Sequence, residues 1–542
     1  MKAALFTCTL ALAAAAILSQ SCQSFLDKEP QGAITEANLF KDPVNAVQAV
    51  NAVYDVASWD EGPKYGNGPY IGHMYEWMFG DVMSDDAEKG SQPSDFDAIS
   101  DLKLWRADAS NVPVGTLWSH NFTGIARANT VINNVEAGSI DAALKSRLKG
   151  EALFMRGYFY FYLVRTFGGV PLFEKPVQVA DIGGVTRASI ADTYAFIEKD
   201  FRAAAALLPE RDGYAAGDLG RATKGAANSY LARAIMYELG TMNAANHTWQ
   251  DVYDLTDGVI KSNKYTLLPN YATIHQSEGA NGTESIFEIQ FITSPEGYGP
   301  IKTGTTNNVF QNNRKTFGYG FNNPTQNLLS EFEANDPRMA VTFIKTGDIV
   351  LGINNLVDNS ENDTGYLSRK VAILRPQNPK AGDQNIRKFR YADVLLMKAE
   401  AAAKLGKDAD ALGLINQIRQ RARNSSTPKG STTIGVSNDY APANVPAGTL
   451  PDLVGLTGQP LLNAIWHERR VELAEESLRY WDLIRTGRYV AYLNNLRPAQ
   501  LPTAVVARFQ SHTVPGTINP LGVLPIPIID AQTFKLPQNP GY

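Results

Sequence analysis

Apolar residues recur every three or four positions through most of the chain, and that period predicts helices. Val44, Val47, Val50 and Val53 with Tyr54 form one stripe of a helix from Asp42 to Ala57. Pro113 to Val135 and Ala142 to Phe167 predict two longer helices, and Ile71 to Met83 a shorter one around Trp77. Ser189 to Leu208, Thr223 to Thr241 and Thr248 to Ser262 predict three more. Tyr391 to Arg423 holds two helices joined by a Gly-Lys turn, with small Ala399, Ala402 and Ala411 where their backbones cross. Leu461 to Arg485 reads as one further helix. The segment from Gly150 to Leu172 carries Phe154, Tyr158, Phe159, Tyr160, Phe161 and Tyr162. A helix apolar on all sides is a buried one, so packing is favoured there over ligand stacking. It stops at Gly168–Gly169, a natural helix end, with Pro171 beyond. Alternation in Ser285 to Phe291 predicts a strand. Ser84 to Leu104 reads as a polar loop. Long irregular stretches run over Gly279–Asn327, Gly347–Gln384, Asn424–Gln459 and Leu496–Tyr542. Such stretches are functional or wrap a scaffold. The pattern is mainly α: helix pairs carrying long irregular loops and a few short strands.

Composition narrows the function. The 542 residues are 44% hydrophobic and 19% charged, with 50 Lys plus Arg against 55 Asp plus Glu. Without clustered cations a nucleic-acid role is excluded, because phosphate neutralisation needs them. The only cysteines, Cys8 and Cys22, lie at the start, which excludes a disulfide framework and a Cys-based zinc site in the body. Lys2 precedes a weakly apolar run from Ala4 to Leu18. That run falls short of the roughly 20 residues of a spanning helix and reads as a secretory signal. It ends on small and polar residues and then Cys22, the pattern of a lipoprotein signal over residues 1–21. Cys22 is then the acylated first residue of a soluble body on a lipid tether.

No hydrolase constellation stands out. HExxH, CxxC, GxSxG and GxxxxGK[ST] are all missing, and His73, His120, His247, His275, His467 and His512 are scattered. His467, Glu468, Arg469, Arg470, Glu472, Glu475 and Glu476 interleave at helical spacing, as on a salt-bridged helix face. Asp81, Asp85, Asp86 and Glu88 are oxygen donors of the kind Ca²⁺ takes, but without EF-hand spacing a solvated acidic loop is favoured. No cofactor is called for. Binding has better support. A sugar offers an apolar ring face and a rim of hydroxyls, so its site needs flat aromatics beside Asp, Asn and Arg. Three loops hold those ingredients: Trp59, Asp60 and Tyr65; Asp85, Asp86 and Phe96; Tyr298, Asn312, Arg314 and Tyr319.

The Tyr391–Arg423 pair resembles a tetratricopeptide repeat. Ordered blocks then carry a wider resemblance: SCQSFLDKEP after the signal, LWSHNFTGIARANTVINNV, GEALFMRGYFYFYLVRTFGGVPL, GRATKGAANSYLARAIMYE, Asp336–Arg338, RYADVLLMKAEAAAKLG, LLNAIWHERRVELAEESLRYWDLIRTG and the terminal LPIPIIDAQTFKLPQNPGY. In this order they resemble the SusD/RagB family of Bacteroidota outer-membrane lipoproteins, from Cys22 to Tyr542. Glu476–Ser477 stands where the family usually has Glu-Gly. The resemblance implies a SusD-like α-α superhelix of tetratricopeptide-like pairs, with an N-terminal part over about 22–270 and a C-terminal part over about 271–542. It implies a cell-surface, lipid-anchored protein of the outer membrane. Such a protein lies over a SusC-like TonB-dependent barrel and hands it an oligosaccharide, or in some members a peptide or other nutrient, without catalysis. A surface glycosidase is the lesser alternative. The matching blocks belong to the scaffold, so the loop residues above rest on their own chemistry.

Overall fold

A computed structural model describes residues 36–59, 75–242, 246–292, 306–314, 318–350, 353–354, 357, 362, 364–372, 382–429, 440–442, 445–495, 502–514 and 522–542. Cys22, Asp60, Tyr65 and Tyr298 lie outside these residues. Among the described residues, nine long helices form the frame: α1 Pro43–Ala57, α2 Val112–Asn134, α3 Ala142–Phe167, α4 Ile190–Leu207, α5 Lys224–Thr241, α6 Trp249–Lys261, α7 Tyr391–Lys404, α8 Asp408–Arg423 and α9 Gly458–Glu472. Their starts are written in the sequence. Asp42, Asn111, Asp141, Ser189 and Thr223 each accept a backbone N–H of the first turn, and Thr248 with Asp251 closes a capping box on α6.

Each helix from α1 to α8 packs on the next in the chain, and α9 lies on α7. Ala399, Ala402 and Ala411 are fully buried between α7 and its neighbours, as their size predicts. The aromatic helix α3 is buried on nearly every side from Leu148 to Phe167, so packing is its role. Phe154 meets Phe201 at 5.8 Å, Tyr230 at 5.4 Å and Phe287 at 4.9 Å between ring centres. Edge-to-face geometry of this kind adds to the area such rings bury.

The stacking of α6 directly on α7 is the central topological fact. These helices are neighbours in space but are separated by the whole of residues 262–390. That excursion leaves the scaffold and returns through an antiparallel pair, β2 Ser285–Ile289 with β4 Ile386–Arg390. A second pair, β1 Ala87–Gly90 with β3 Phe321–Pro324, joins the excursion to the segment between α1 and α2. Two expectations are corrected here. The 84–104 stretch is not all loop, since it holds β1 and a helix at Asp97–Lys103. The helix expected from Leu461 to Arg485 is broken between α9 and a short helix, Arg479–Arg485, because Glu475 and Ser477 take positive φ of 61° each.

Apart from half-buried His467, the charges at the end of α9 and in the turn after it face neither water nor one another. Arg469 pairs with Asp393 and, at 2.7 Å, with Asp482. Glu472 takes Arg421, Arg390 at 3.0 Å and Arg338 at 3.2 Å. Glu468 takes Arg338 at 2.6 Å and Arg419 at 3.0 Å. Glu476 takes Lys370 and Arg390, each at 2.7 Å. Helical spacing suggested local pairs, but the partners come from other elements.

Burial alone would raise the Glu472 carboxyl, yet Arg421, Arg390 and Arg338 bring it down to about 2. Burial opposes Lys388, Arg165 and Tyr162 at Glu76 in the same way, and they bring it to about 2. A depressed carboxylate stabilises the fold above its unfolded value of 4.5, and that contribution drains away as pH falls from there to about 2. Urea unfolding is therefore expected to weaken steeply across that window. Glu472→Gln is expected to flatten this loss and to cost about 3–5 kcal/mol at neutral pH, because it strands buried arginines. An unchanged acid profile would count against the network as a stabilising unit.

Candidate functional site

The excursion and the 84–96 segment meet at one surface. β1 runs antiparallel to β3, with Ala87 opposite Pro324 and Gly90 opposite Phe321. The turn after β1 is tight: Ser91 N–H donates to the Gly320 carbonyl at 2.6 Å. Gly90 has φ 70°, and a Cβ there would stand 2.4 Å from that same carbonyl, so only glycine fits. On the other side a short helix, Asn307–Gln311, is followed by a loop that folds back on it. Tyr319 N–H reaches the Val309 carbonyl and Gly320 N–H the Asn312 carbonyl, both at 2.8 Å.

Arg314 bridges the two segments. Its guanidinium pairs with Asp95 and donates to Ser91 Oγ at 3.0 Å, while Ser91 Oγ donates to Asp95 at 2.6 Å. Lys89 donates to the Gln92 and Asp95 carbonyls at 2.7 Å each, which holds the acidic turn closed. Beside this polar bridge runs a file of rings. Tyr319, 39% exposed, lies 5.2 Å from Phe310. Phe310 lies 4.6 Å from Tyr75 and stacks at 5.9 Å on Phe321, which in turn lies 6.1 Å from Trp77. Phe310, Phe321, Tyr75 and Trp77 are buried. An open tyrosine ring, backed by fixed rings and flanked by a fixed Arg–Asp pair, is the site with the clearest binding geometry.

The sequence-derived candidates therefore divide. Arg314 and Tyr319 come together at this surface. Phe96 caps the neighbouring Asp97–Lys103 helix in a left-handed conformation, φ 51°, half-buried. Asn312 is buried, and its carbonyl fixes the loop. Trp59 sits elsewhere, on the seam of α1 and α2. Its Nε1 donates to Asp55 at 2.8 Å, Arg127 lies 4.8 Å over its ring, and the His120 ring meets it edge-on at 5.1 Å. No contact among the described residues links it to the Tyr319 surface. Asp95, Ser91 and Lys89 complete the site and were missing from the three loops. Only the Ser91-x-x-x-Asp95 spacing hinted at them.

The acidic stretch is corrected more firmly, because Asp81, Asp85 and Asp86 are buried and not solvated. Asp85 takes Arg479 through both oxygens, at 2.6 and 2.8 Å, and Arg470 reaches Asp85 at 3.1 Å and Asp86 at 2.9 Å. Their oxygens serve the fold. Those arginines lie nearly the length of the chain away, so nothing local to the stretch announced them.

With this geometry in place, comparison with known proteins identifies the lineage. A family model described as the SusD family matches residues 283–542, and one described as starch-binding, associating with outer membrane, matches residues 24–236. The chain belongs to the SusD family. A SusD-like protein of Formosa agariphila is 26% identical over 504 residues, 87% of this chain and 89% of that protein. A solved laminarin-binding SusD-like protein superposes with TM-score 0.69 at 23% identity, over 93% of this chain and 100% of the other. Surface glycan-binding protein A from Bacteroides thetaiotaomicron, solved with laminarihexaose, gives TM-score 0.68 at 22% identity, over 92% and 99%. At these identities the structural likeness fixes the SusD fold, a mainly helical body with few short strands.

Truncating a half-buried ring held by three neighbours differs from truncating an open one. Trp59→Ala is expected to cost about 1–3 kcal/mol in chemical denaturation, and Tyr319→Ala less than about 0.5 kcal/mol. A larger loss for Tyr319→Ala would show that its ring supports the fold and is not simply presented to solvent.

Proposed function

We propose that this SusD-family protein is a cell-surface glycan-binding lipoprotein that captures an oligosaccharide and passes it to a SusC-like TonB-dependent transporter. The observation that carries this reading is the open Tyr319 ring on the loop that Ser91 joins, through the Gly320 carbonyl, to the Arg314–Asp95 pair. A sugar ring stacks its apolar face on Tyr319 while its hydroxyls exchange water for Arg314, Asp95 and Ser91. Phe96 and Asn312 border the contact. The family description supports the outer-membrane setting, and the names of the similar structures support a glycan over a peptide. Cys22 supplies the lipid anchor. The protein binds and releases without catalysis, so cleavage is left to other proteins. Each stacked contact competes with good hydration of the sugar, so affinity is modest.

The test is calorimetric titration of residues 23–542 with plant, host-mucin and microbial oligosaccharides, β-glucans included. Saturable heat with one glycan class is expected, with the oligosaccharide intact after incubation. Tyr319→Ala is expected to weaken binding about tenfold, near 1.4 kcal/mol. Cleavage products would replace the reading with a glycosidase. Binding of peptides alone would replace the ligand class. Full affinity in Tyr319→Ala would move the site elsewhere.

A further inference from the structure

A cavity of about 560 Å³ stands outside the proposed glycan contact, and none of Ser91, Asp95, Arg314 and Tyr319 lines it. Its size falls among small-ligand sites, which run from about 300 to 1,000 Å³. Its walls are the short helix Pro337–Thr342, the turn after the strand Phe343–Lys345, and the strand Ser426–Pro428, which packs on that helix. Two of the long irregular stretches, Gly347–Gln384 and Asn424–Gln459, meet there. The strand Tyr366–Ser368 pairs with Phe343–Lys345 and lies against β3, so the cavity and the Tyr319 loop share one packed unit.

Arg369 in this wall is short of an acceptor. Its backbone N–H donates to the Thr342 carbonyl at 2.7 Å, which sets the residue at the cavity's edge. Arg369 is 4% exposed. Its Nε donates to the Phe343 carbonyl at 3.2 Å and its Nη2 to Asp348 at 2.9 Å, while Nη1 is buried with no hydrogen-bond partner. Arg338 and Arg390 each take three carboxylates, whereas Arg369 takes Asp348 alone among the described residues. Burial holds its guanidinium below the usual arginine range in spite of Asp348. A buried cation with an unused donor lacks an anion that would offset its desolvation.

The other charges of the lining do not supply it. Asp336 is held by Arg338 at 2.8 Å, and Lys345 and Lys429 add positive charge. Both lysines are exposed and make no ion pair among the described residues. A tight turn fixes the first of them. Gly347 takes φ 93°, Asp348 N–H donates to the Lys345 carbonyl at 3.0 Å, and Lys345 N–H donates to Asp348 Oδ2 at 3.2 Å. Beside the cations the lining is apolar, with Pro337, Met339, Phe343, Ile349 and Pro428. We propose that this cavity binds an acidic saccharide, with the carboxylate or sulfate of one sugar held by Arg369, Lys345 and Lys429. The anion gives the Nη1 donor its acceptor, in the charge-assisted bond that guanidinium makes best. The apolar wall takes the face of the sugar ring. The inference rests on the glycan-binding reading and adds the charge of the ligand to it.

The test is calorimetric titration of residues 23–542 with a uronate-containing and a sulfated oligosaccharide, each beside its carboxyl-reduced or desulfated counterpart. One acidic oligosaccharide is expected to bind at least about tenfold more tightly than its neutral counterpart, and the pair that shows the difference names the anionic group. A Lys345→Gln, Lys429→Gln double variant is expected to weaken the acidic ligand about tenfold, with the melting temperature and the affinity for neutral glycans unchanged. Both lysines are exposed, so this variant separates loss of a contact from loss of folding. Arg369→Gln is expected to weaken the acidic ligand at least as much. Equal affinity for acidic and neutral glycans overturns the inference and leaves the proposed function standing. Full affinity for the acidic ligand in the double variant also overturns it, as does binding of an acidic peptide in place of every acidic saccharide. Silence toward all glycans would remove the proposed function together with it.

Discussion

Everything in this structure depends on the burial of arginine against carboxylate. Arg338, Arg390, Arg419 and Arg469 are among its largest fully buried side chains. A charge taken out of water is costly unless paired and hydrogen-bonded, so each pair forces two chain segments into one position. Arg390 brings Glu284, Glu472 and Glu476 together from the residue before β2, the end of α9 and the turn after it. Arg338 ties the excursion to the same helix end. The result is a polar lattice between the helical frame and the inserted segment, where an apolar interface would have allowed sliding.

The lattice also explains how a long insertion can leave the scaffold and still present a defined surface. β2 and β4 return the chain to α7 within hydrogen-bond register, and α6 meets α7 as though nothing lay between them. Beyond that anchor the insertion reaches across to β1 and encloses the rings of Phe310 and Phe321. Tyr319 can remain open because the rings beneath it are fixed. Rigidity there costs the free protein entropy in advance and leaves less to lose on binding.

Charge balance also shapes the Tyr319 surface and the layer beneath it. At the Tyr319 surface Arg314 and Asp95 neutralise each other and still offer donors and acceptors to a hydroxyl rim. Just below, Asp81 and Glu475 make no ion pair among the described residues. Burial and the neighbouring Asp86 push the Asp81 carboxyl up to about 8, and burial and Asp81 push Glu475 well above its usual range. The same desolvation that arginine and lysine outweigh at Glu472 and Glu76 thus keeps this one corner of the fold protonated and neutral.

The helices, their caps, the burial of α3 and the small residues at the α7 crossing were legible in the sequence, because each is set by neighbours within a few positions. The ordered blocks gave the family for a related reason: they are scaffold, and scaffold is constrained along its whole length. Leu461 to Arg485 read as one helix because composition does not reveal the positive φ that Glu475 and Ser477 adopt under tertiary constraint. The charges of α9 read as a locally salt-bridged face, and Asp85 and Asp86 as a solvated loop, because local spacing cannot show a partner far away in the chain. Trp59 and Tyr319 looked alike as loop aromatics, and packing alone separated the pinned ring from the open one. Periodicity and capping are local and belong to the sequence. The pairing of buried charges and the exposure of a given ring are long-range, and only the folded chain decides them.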